Sequence, residues 1–337
     1  LSTLFNWLIS MTIGILGGGV WGSALAKLLS NNKVCIYSRN KKTVKSINEH
    51  RFNPKLKYAV FNENVTSTEN TKTFKDLEYL FIALPSQTIR EVLTNLSLTN
   101  KDQEIIVASK GIEISTSDLL SEVVKNTTKS KKISILSGPC FSDEVAQNLP
   151  TAVTLASNNK ETFRRINSLF QNRNFRLYYS DDLIGCQIGG ALKNIYAIAA
   201  GMTQGLNLGE NAKSALITRS FVEISRFGEA LGAKQQTIFG LSGLGDLILT
   251  CNSLKSRNTS FGQMISCMSK PDFEDILKSQ EITEGYYTVK AVKQITDEKK
   301  IDMPIMQSVY NILYNSHSIK DEIKNLLERP ITDEFKK

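Results

Sequence analysis

Five short and almost wholly apolar runs recur through the first half of the chain: TIGIL (12–16), VCIY (34–37), LFIAL (80–84), IIVAS (105–109) and ISIL (133–136). The stretches between them carry helical spacing. Strand, helix, strand in this rhythm predicts parallel βαβ units, and runs without polar alternation predict strands buried on both faces of a doubly wound sheet. AVTLA (152–156) and FRLYY (175–179) are two further strand candidates. After Asp182 the strand pattern stops, and helices are expected at about 184–203, 211–231, 258–268, 284–298, 303–314 and 319–327. The fold class is therefore α/β, with an N-terminal Rossmann-like doubly wound parallel sheet (11–183) and an all-helical C-terminal domain (184–337). With no Pro/Gly/Ser linker between them, one long helix should run from the first into the second, with the active site in the cleft between.

Composition adds limits. At 337 residues, 41% hydrophobic and 22% charged, the chain has room for two ordinary globular domains. Five cysteines without a CxxC pair argue against a disulfide framework or zinc ribbon and for a reducing, cytoplasmic setting. The two histidines, His50 and His317, lie far from any nucleophile motif, so proton transfer falls to Lys, Asp, Glu, Tyr or Cys. A net charge of +8 suits nucleic acid, acidic membrane surfaces or small anions. Scattered basic residues without interleaved aromatics argue against nucleic acid. Residues 1–10 are apolar but lack a basic flank and reach glycines before spanning length, so they read as a short extension and not a membrane span.

The most explicit motif is Gly17-Gly18-Gly19-Val20-Trp21-Gly22, a GxGxxG between a strand and a helix expected over 23–29. Gly17 would make the tight turn, Gly19 would admit a pyrophosphate, and Gly22 would let helix and strand pack closely, with the helix N-terminus facing the anion. Some 20 residues on, where an NAD enzyme places an acid, stand Ser38 and Arg39. A guanidinium there pairs with a 2′-phosphate, so NADP(H) is favoured over NAD(H), with a solvated loop charge as the other reading.

In the helical half, Lys193 is the one charge between Leu183 and Gly209, and Asp246 the one charge between Gln235 and Leu254. A buried lysine has a lowered pKa and a nearby carboxylate raises it again, so the pair either tunes a proton donor or only fixes helix packing. Lys110 follows a strand and should project at the carboxyl edge of the sheet, where ligands of such folds bind. Ser256, Arg257 and Asn258 open a helix and form a candidate phosphate cradle, although Ser is also an ordinary N-cap.

These pieces resemble NAD(P)-dependent glycerol-3-phosphate dehydrogenase of the bacterial biosynthetic type. The resemblance rests on GGGVWGSALA (17–26), ALPSQ (83–87), SKGIE (109–113), SGPCF (137–141), GGALKNIYAIAAG (189–201), GLSGLGDLILTC (240–251), SRN (256–258) and EITEG (281–285). It implies interconversion of sn-glycerol 3-phosphate and dihydroxyacetone phosphate by hydride transfer with NADPH or NADH, supplying glycerol phosphate for phospholipids. It implies Lys193 as the catalytic proton donor and acceptor. Lys110, Gly138, Cys140, Lys193, Asp246, Ser256, Arg257 and Asn258 match substrate positions. Val20, Trp21, Arg39, Lys110, Ser142, Arg257, Ile282 and Glu284 match coenzyme contacts. Val20 departs from a common Ser, Cys140 from Ser or Thr, and Ser142 from Ala; a thiol is the weaker hydrogen-bond partner.

Two other readings are open at this point. A β-hydroxyacid dehydrogenase shares the layout but takes a carboxylate, and the SRN and GLGD segments favour a phosphate. A noncatalytic NADP(H) sensor would bind coenzyme without turnover. The sequence implies no metal, and a homodimer is left open.

Overall fold

The computed structural model describes residues 13–98, 102–128, 130–268, 273, 276, 283–331, 333 and 334. The N-terminal extension and Ile282 lie outside them. Among the described residues there are ten strands: β1 (Ile13–Leu16), β2 (Val34–Tyr37), β3 (Phe52–Asn53), β4 (Leu56–Val60), β5 (Val65–Thr68), β6 (Tyr79–Ile82), β7 (Glu104–Val107), β8 (Ile133–Ser137), β9 (Thr151–Ala156) and β10 (Phe175–Ser180). Eight of them form one sheet in the order β10-β9-β8-β7-β6-β1-β2-β5. All seven apolar runs of the sequence are strands of this sheet.

Four features depart from expectation. The sheet is not wholly parallel, because β8 and β9 pair antiparallel. The edge strand β5, VTST, was not anticipated; with a burial pattern alternating between buried and half-buried it lacks the apolar run that marks the inner strands. The hairpin β3–β4 stands apart as a two-stranded antiparallel sheet. The first helix also begins earlier than expected, at Val20, directly on the glycine loop.

Alternate residues of the sheet strands enter two different cores. Ile13, Ile15, Val34 and Ile36 face one, while Leu16, Cys35 and Tyr37 face the other, as a sheet covered on both sides requires. The strand order reverses between β1 and β6, and the crevice at such a switch point is where doubly wound sheets take ligands.

The helix Leu183–Gly205 leaves the sheet half and becomes the axis of the helical half, with 18 consecutive residues from Gly185 to Met202 buried. By length and apolar character alone this helix could cross a membrane, but its window is 89% buried inside the fold. It is a core helix. Its glycines let neighbours approach to backbone contact. A Cβ on Gly201 would lie 2.0 Å from the Thr259 carbonyl oxygen, and one on Gly262 would lie 2.0 Å from that of Ile198. Thus the helix Arg257–Ser266, which opens with the SRN triplet, is pressed against the helix that carries Lys193.

Glu223 binds the later helices to this axis. Its buried carboxylate accepts from Tyr196 Oη (3.0 Å) and from the Ile305 and Met306 backbone N–H groups (2.7 and 3.1 Å) at the start of the helix Pro304–Tyr314.

Candidate functional site

A cleft of about 1150 Å³ runs between the carboxyl edge of the sheet and the helical half. Its walls include the loop after β1 (Gly17, Gly18, Gly19), the end of β2 (Ser38, Arg39, Asn40), the loop after β6 (Ala83, Leu84, Pro85) and the loop after β7 (Ala108, Ser109, Lys110). From the helical half come Lys193, Asn194, Thr250, Arg257, Asn258 and Glu284. Strand ends and helix starts from both halves thus converge on one space.

The glycine loop fits a dinucleotide by geometry as well as by spacing. Gly17 has φ +127°, a conformation that favours glycine, and a Cβ there would strike the Ala83 carbonyl oxygen at 2.4 Å. A Cβ on Gly22 would sit 1.9 Å from the Gly17 carbonyl oxygen, whereas one on Gly19 would meet nothing within 4 Å. Gly22 is therefore needed by the fold, and Gly19 borders empty cleft of the kind a pyrophosphate would fill. This separates two substitutions. Gly22→Ala should cost roughly 2 kcal/mol or more through backbone overlap. Gly19→Ala should change stability by about 0.5 kcal/mol at most, yet abolish coenzyme binding. Thermal melts paired with coenzyme titrations distinguish them.

At the other end of the cleft three charges meet. Lys193 Nζ donates to Asp246 Oδ1 at 2.5 Å, and Lys110 Nζ donates to Asp246 Oδ2 at 2.6 Å. The local sequence explains how. The segment Leu241–Gly245 forms one wide helical turn that leads into the helix Asp246–Cys251. Gly189, one turn before Lys193, lets that segment settle on the central helix, since a Cβ would lie 2.3 Å from the Ser242 carbonyl oxygen. The GLSGLGD and GGALK motifs are the two sides of one contact.

Lys193 has a second partner. Its Nζ donates to Thr250 Oγ1 at 2.8 Å, and Thr250 Oγ1 in turn donates to the Asp246 backbone carbonyl at 2.6 Å. Burial, reinforced by the like charge of Lys110 and opposed by Asp246, brings the Lys193 ammonium down to about 8. Lys110 is half-buried, and its desolvation would lower it, but the Asp246 carboxylate outweighs that and holds it above the usual lysine range. One carboxylate therefore serves a firmly charged lysine and a titratable one.

The remaining residues singled out in the sequence take distinct places. Trp21 Nε1 donates to the Ala108 carbonyl (3.0 Å), and Trp21, Val20 and the exposed Arg39 line the coenzyme end of the cleft. The Gly138 carbonyl accepts from Lys110 Nζ at 3.1 Å, and Cys140 Sγ lies 3.4 Å from the same oxygen. Burial pushes the Cys140 thiol up, so it stays neutral beside the two lysines. Ser142 starts the short helix Ser142–Ala146 at the rim.

Several of the residues singled out in the sequence also have partners within the fold. Asp246 is fully buried behind the two lysines. Ser256 is an N-cap, its Oγ accepting from Thr259 N–H at 3.2 Å. Asn258 Oδ1 accepts from Gly285 N–H (2.9 Å) while its Nδ2 donates to Asn194 Oδ1 (3.0 Å). Gly22, Gly138 and Asp246 stand behind the cleft wall, and Ile282 lies outside the described residues.

Three contributors were not visible in the sequence. Thr250 lies one turn after Asp246, a spacing that could have drawn attention to it. Ser86, fully buried, donates its Oγ (2.6 Å) and its backbone N–H (3.2 Å) to the Glu284 carboxylate, joining the β6 loop to the helix Glu284–Lys299. Burial raises the Glu284 carboxyl while these donors oppose the rise. Lys255 pairs with Asp143 (3.2 Å) and Glu144 (2.8 Å), linking the helical half to the rim of the sheet half. Such contacts across a hundred or more residues leave no periodic mark.

Comparison with known proteins gives a consistent result. Residues 12–163 match the model of the NAD-dependent glycerol-3-phosphate dehydrogenase N-terminus, and residues 182–324 that of its C-terminus. A glycerol-3-phosphate dehydrogenase (NAD(P)+) of Novosphingobium aromaticivorans is 38% identical over 330 residues, covering 97% of this chain and 99% of the relative. One of Thermotoga sp. is 41% identical over 328 residues, covering 96% and 99%. The crystal structure of glycerol-3-phosphate dehydrogenase from Coxiella burnetii superposes with a TM-score of 0.89 at 35% identity, covering 94% of this chain and 98% of that one.

Proposed function

Because the chain belongs to the NAD-dependent glycerol-3-phosphate dehydrogenase family, we propose that it interconverts sn-glycerol 3-phosphate and dihydroxyacetone phosphate with NAD(P)H, supplying glycerol 3-phosphate for phospholipids. The observation that carries this reading is the Lys193–Asp246–Lys110 cluster at the floor of a cleft whose far end is a dinucleotide loop. We assign residues 11–183 to coenzyme binding and 184–337 to substrate binding and catalysis, the boundary falling where the strands end and the central helix begins. Five free cysteines, three of them buried, support a reducing cytoplasmic setting.

In this mechanism the hydride for the ketone carbon comes from the reduced nicotinamide when it is bound. Negative charge then develops on the carbonyl oxygen. An ammonium has three N–H donors; Asp246 Oδ1 and Thr250 Oγ1 hold two of those on Lys193, leaving the third for that oxygen. Lys193 stabilises the charge and passes its proton to the alkoxide. Lys110 remains charged beside it and adds positive potential without titrating near neutrality. Asp246 acts through the two lysines, and Asn258 and Ser256 fix the start of the helix from which Arg257 reaches the cleft.

Arg257 is assigned to the substrate phosphate, whose binding energy orients the distant ketone. Arg257→Leu should raise the KM for dihydroxyacetone phosphate at least tenfold and lower kcat as well. Its turnover of dihydroxyacetone, which lacks the phosphate, should stay at the wild-type level. Equal losses on both substrates would assign Arg257 to the fold or the coenzyme.

A further inference from the structure

The hairpin β3–β4 is outside the main sheet, yet it is fastened to the glycine loop. Asn53, completely buried, donates through Nδ2 to the Gly18 carbonyl (3.0 Å) and to Ser23 Oγ (2.7 Å), while its Oδ1 accepts from Lys55 N–H (2.9 Å). Every polar atom of this side chain is thereby used to fix the Lys55 backbone against Gly18. The far side of the hairpin is held as well, by Lys27 Nζ donating to the Tyr58 carbonyl (2.6 Å) and the Ala146 carbonyl (2.7 Å). An exposed lysine has been placed on a rigid mount at the cleft wall.

Its neighbours define what it faces. A Cβ on Gly18 would lie 2.5 Å from Ser38 Cβ, so Gly18 rests against the end of β2, next to Arg39. Gly19 borders the open part of the cleft instead. Lys55 is thus anchored on the β2 side of the loop, where a Rossmann-like sheet receives the adenosine ribose. That end of the cleft is lined by Tyr37, Ser38, Arg39, Asn40, Thr43, Lys55 and Leu56, with no acidic side chain among them. A phosphate monoester carries nearly two negative charges at neutral pH, and Arg39 supplies one positive charge.

We propose that Lys55 is the second cation that reads the 2′-phosphate of NADPH, held in place by Asn53 and acting together with Arg39. The proposal rests on the coenzyme reading above and refines it: the preference for NADP(H) is set jointly by the end of β2 and by a hairpin that is not part of the parallel sheet. Because its backbone is already fixed beside Gly18, Lys55 has only its side chain left to order when it makes a charge-assisted contact.

The test is direct titration of NADPH and NADH, followed by fluorescence, on the full chain as wild type, Lys55→Met and Arg39→Ala. Lys55→Met should raise the NADPH dissociation constant about tenfold and leave that of NADH within twofold, and the NADPH effect should shrink as salt rises. Equal weakening of both coenzymes would overturn the proposal by making Lys55 a ligand of the shared diphosphate. Unchanged binding of both would overturn it by leaving Lys55 outside the coenzyme site. Failure of the wild type to bind either coenzyme would instead remove the coenzyme reading itself, an outcome distinct from both.

Discussion

Lys193→Met is expected to lower turnover by about 10²-fold or more, the usual scale for losing a positioned general acid, while NADPH still binds. Methionine keeps the length of the side chain and removes the charge that Asp246 Oδ1 and Thr250 Oγ1 hold at the cleft floor. The same residue sets the pH dependence. Burial brings its ammonium down to about 8, so reduction of the ketone, which needs the protonated form, should fall as pH rises through that value. Oxidation of the alcohol needs the neutral amine and should rise over the same range. Steady-state rates in both directions across this interval check the sign. A Lys193→Met protein with near-normal turnover would make the lysine a packing element.

Asp246→Asn is expected to have the second-largest effect, on both stability and rate. The carboxylate is fully buried and is shared by the buried Lys193 and the half-buried Lys110. Removing one partner of a buried ion pair costs roughly 3–5 kcal/mol, and the lower end applies here because Lys193 can shed its proton. That relief has a catalytic consequence. Without Asp246 the Lys193 ammonium falls further below the usual lysine range, and the alkaline limb of ketone reduction moves to lower pH. Chemical denaturation combined with a pH-rate profile separates the two losses. A stable Asp246→Asn protein with an unmoved limb would refute the coupling.

The strands were legible because each inner one is buried on both faces and so is written as an uninterrupted apolar run. The VTST strand β5, at the sheet edge, and the FN and LKYAV strands of the hairpin carry half-exposed or exposed positions and fall below that signal. The antiparallel turn of β9 could not be read, since the residues of a strand do not encode its direction. Lys193 and Asp246 stood out because each is the single charge of a long apolar stretch, and such charges require a partner. That the same carboxylate also holds Lys110 was invisible, because 136 residues separate them and a strand-end lysine is unremarkable by itself. Thr250, Ser86 and Lys255 were missed for the same reason. Their roles come from tertiary contacts made by common polar residues. The N-cap role of Ser256 was legible beside the phosphate-cradle reading, whereas the bonds by which Asn258 holds Gly285 and Asn194 around Arg257 are tertiary contacts that leave no mark in the sequence.

The central claim, a triose phosphate reduced over Lys193 at the end of a dinucleotide cleft, is tested most directly by following coenzyme absorbance. Purified protein is mixed with NADPH, and dihydroxyacetone phosphate is then added. Steady loss of the reduced-coenzyme signal is the expected result, slowed about 10²-fold or more in Lys193→Met and slower with dihydroxyacetone, which lacks the phosphate that Arg257 holds. A signal that stays constant with dihydroxyacetone phosphate, using NADPH or NADH in a protein that binds them, would contradict the account.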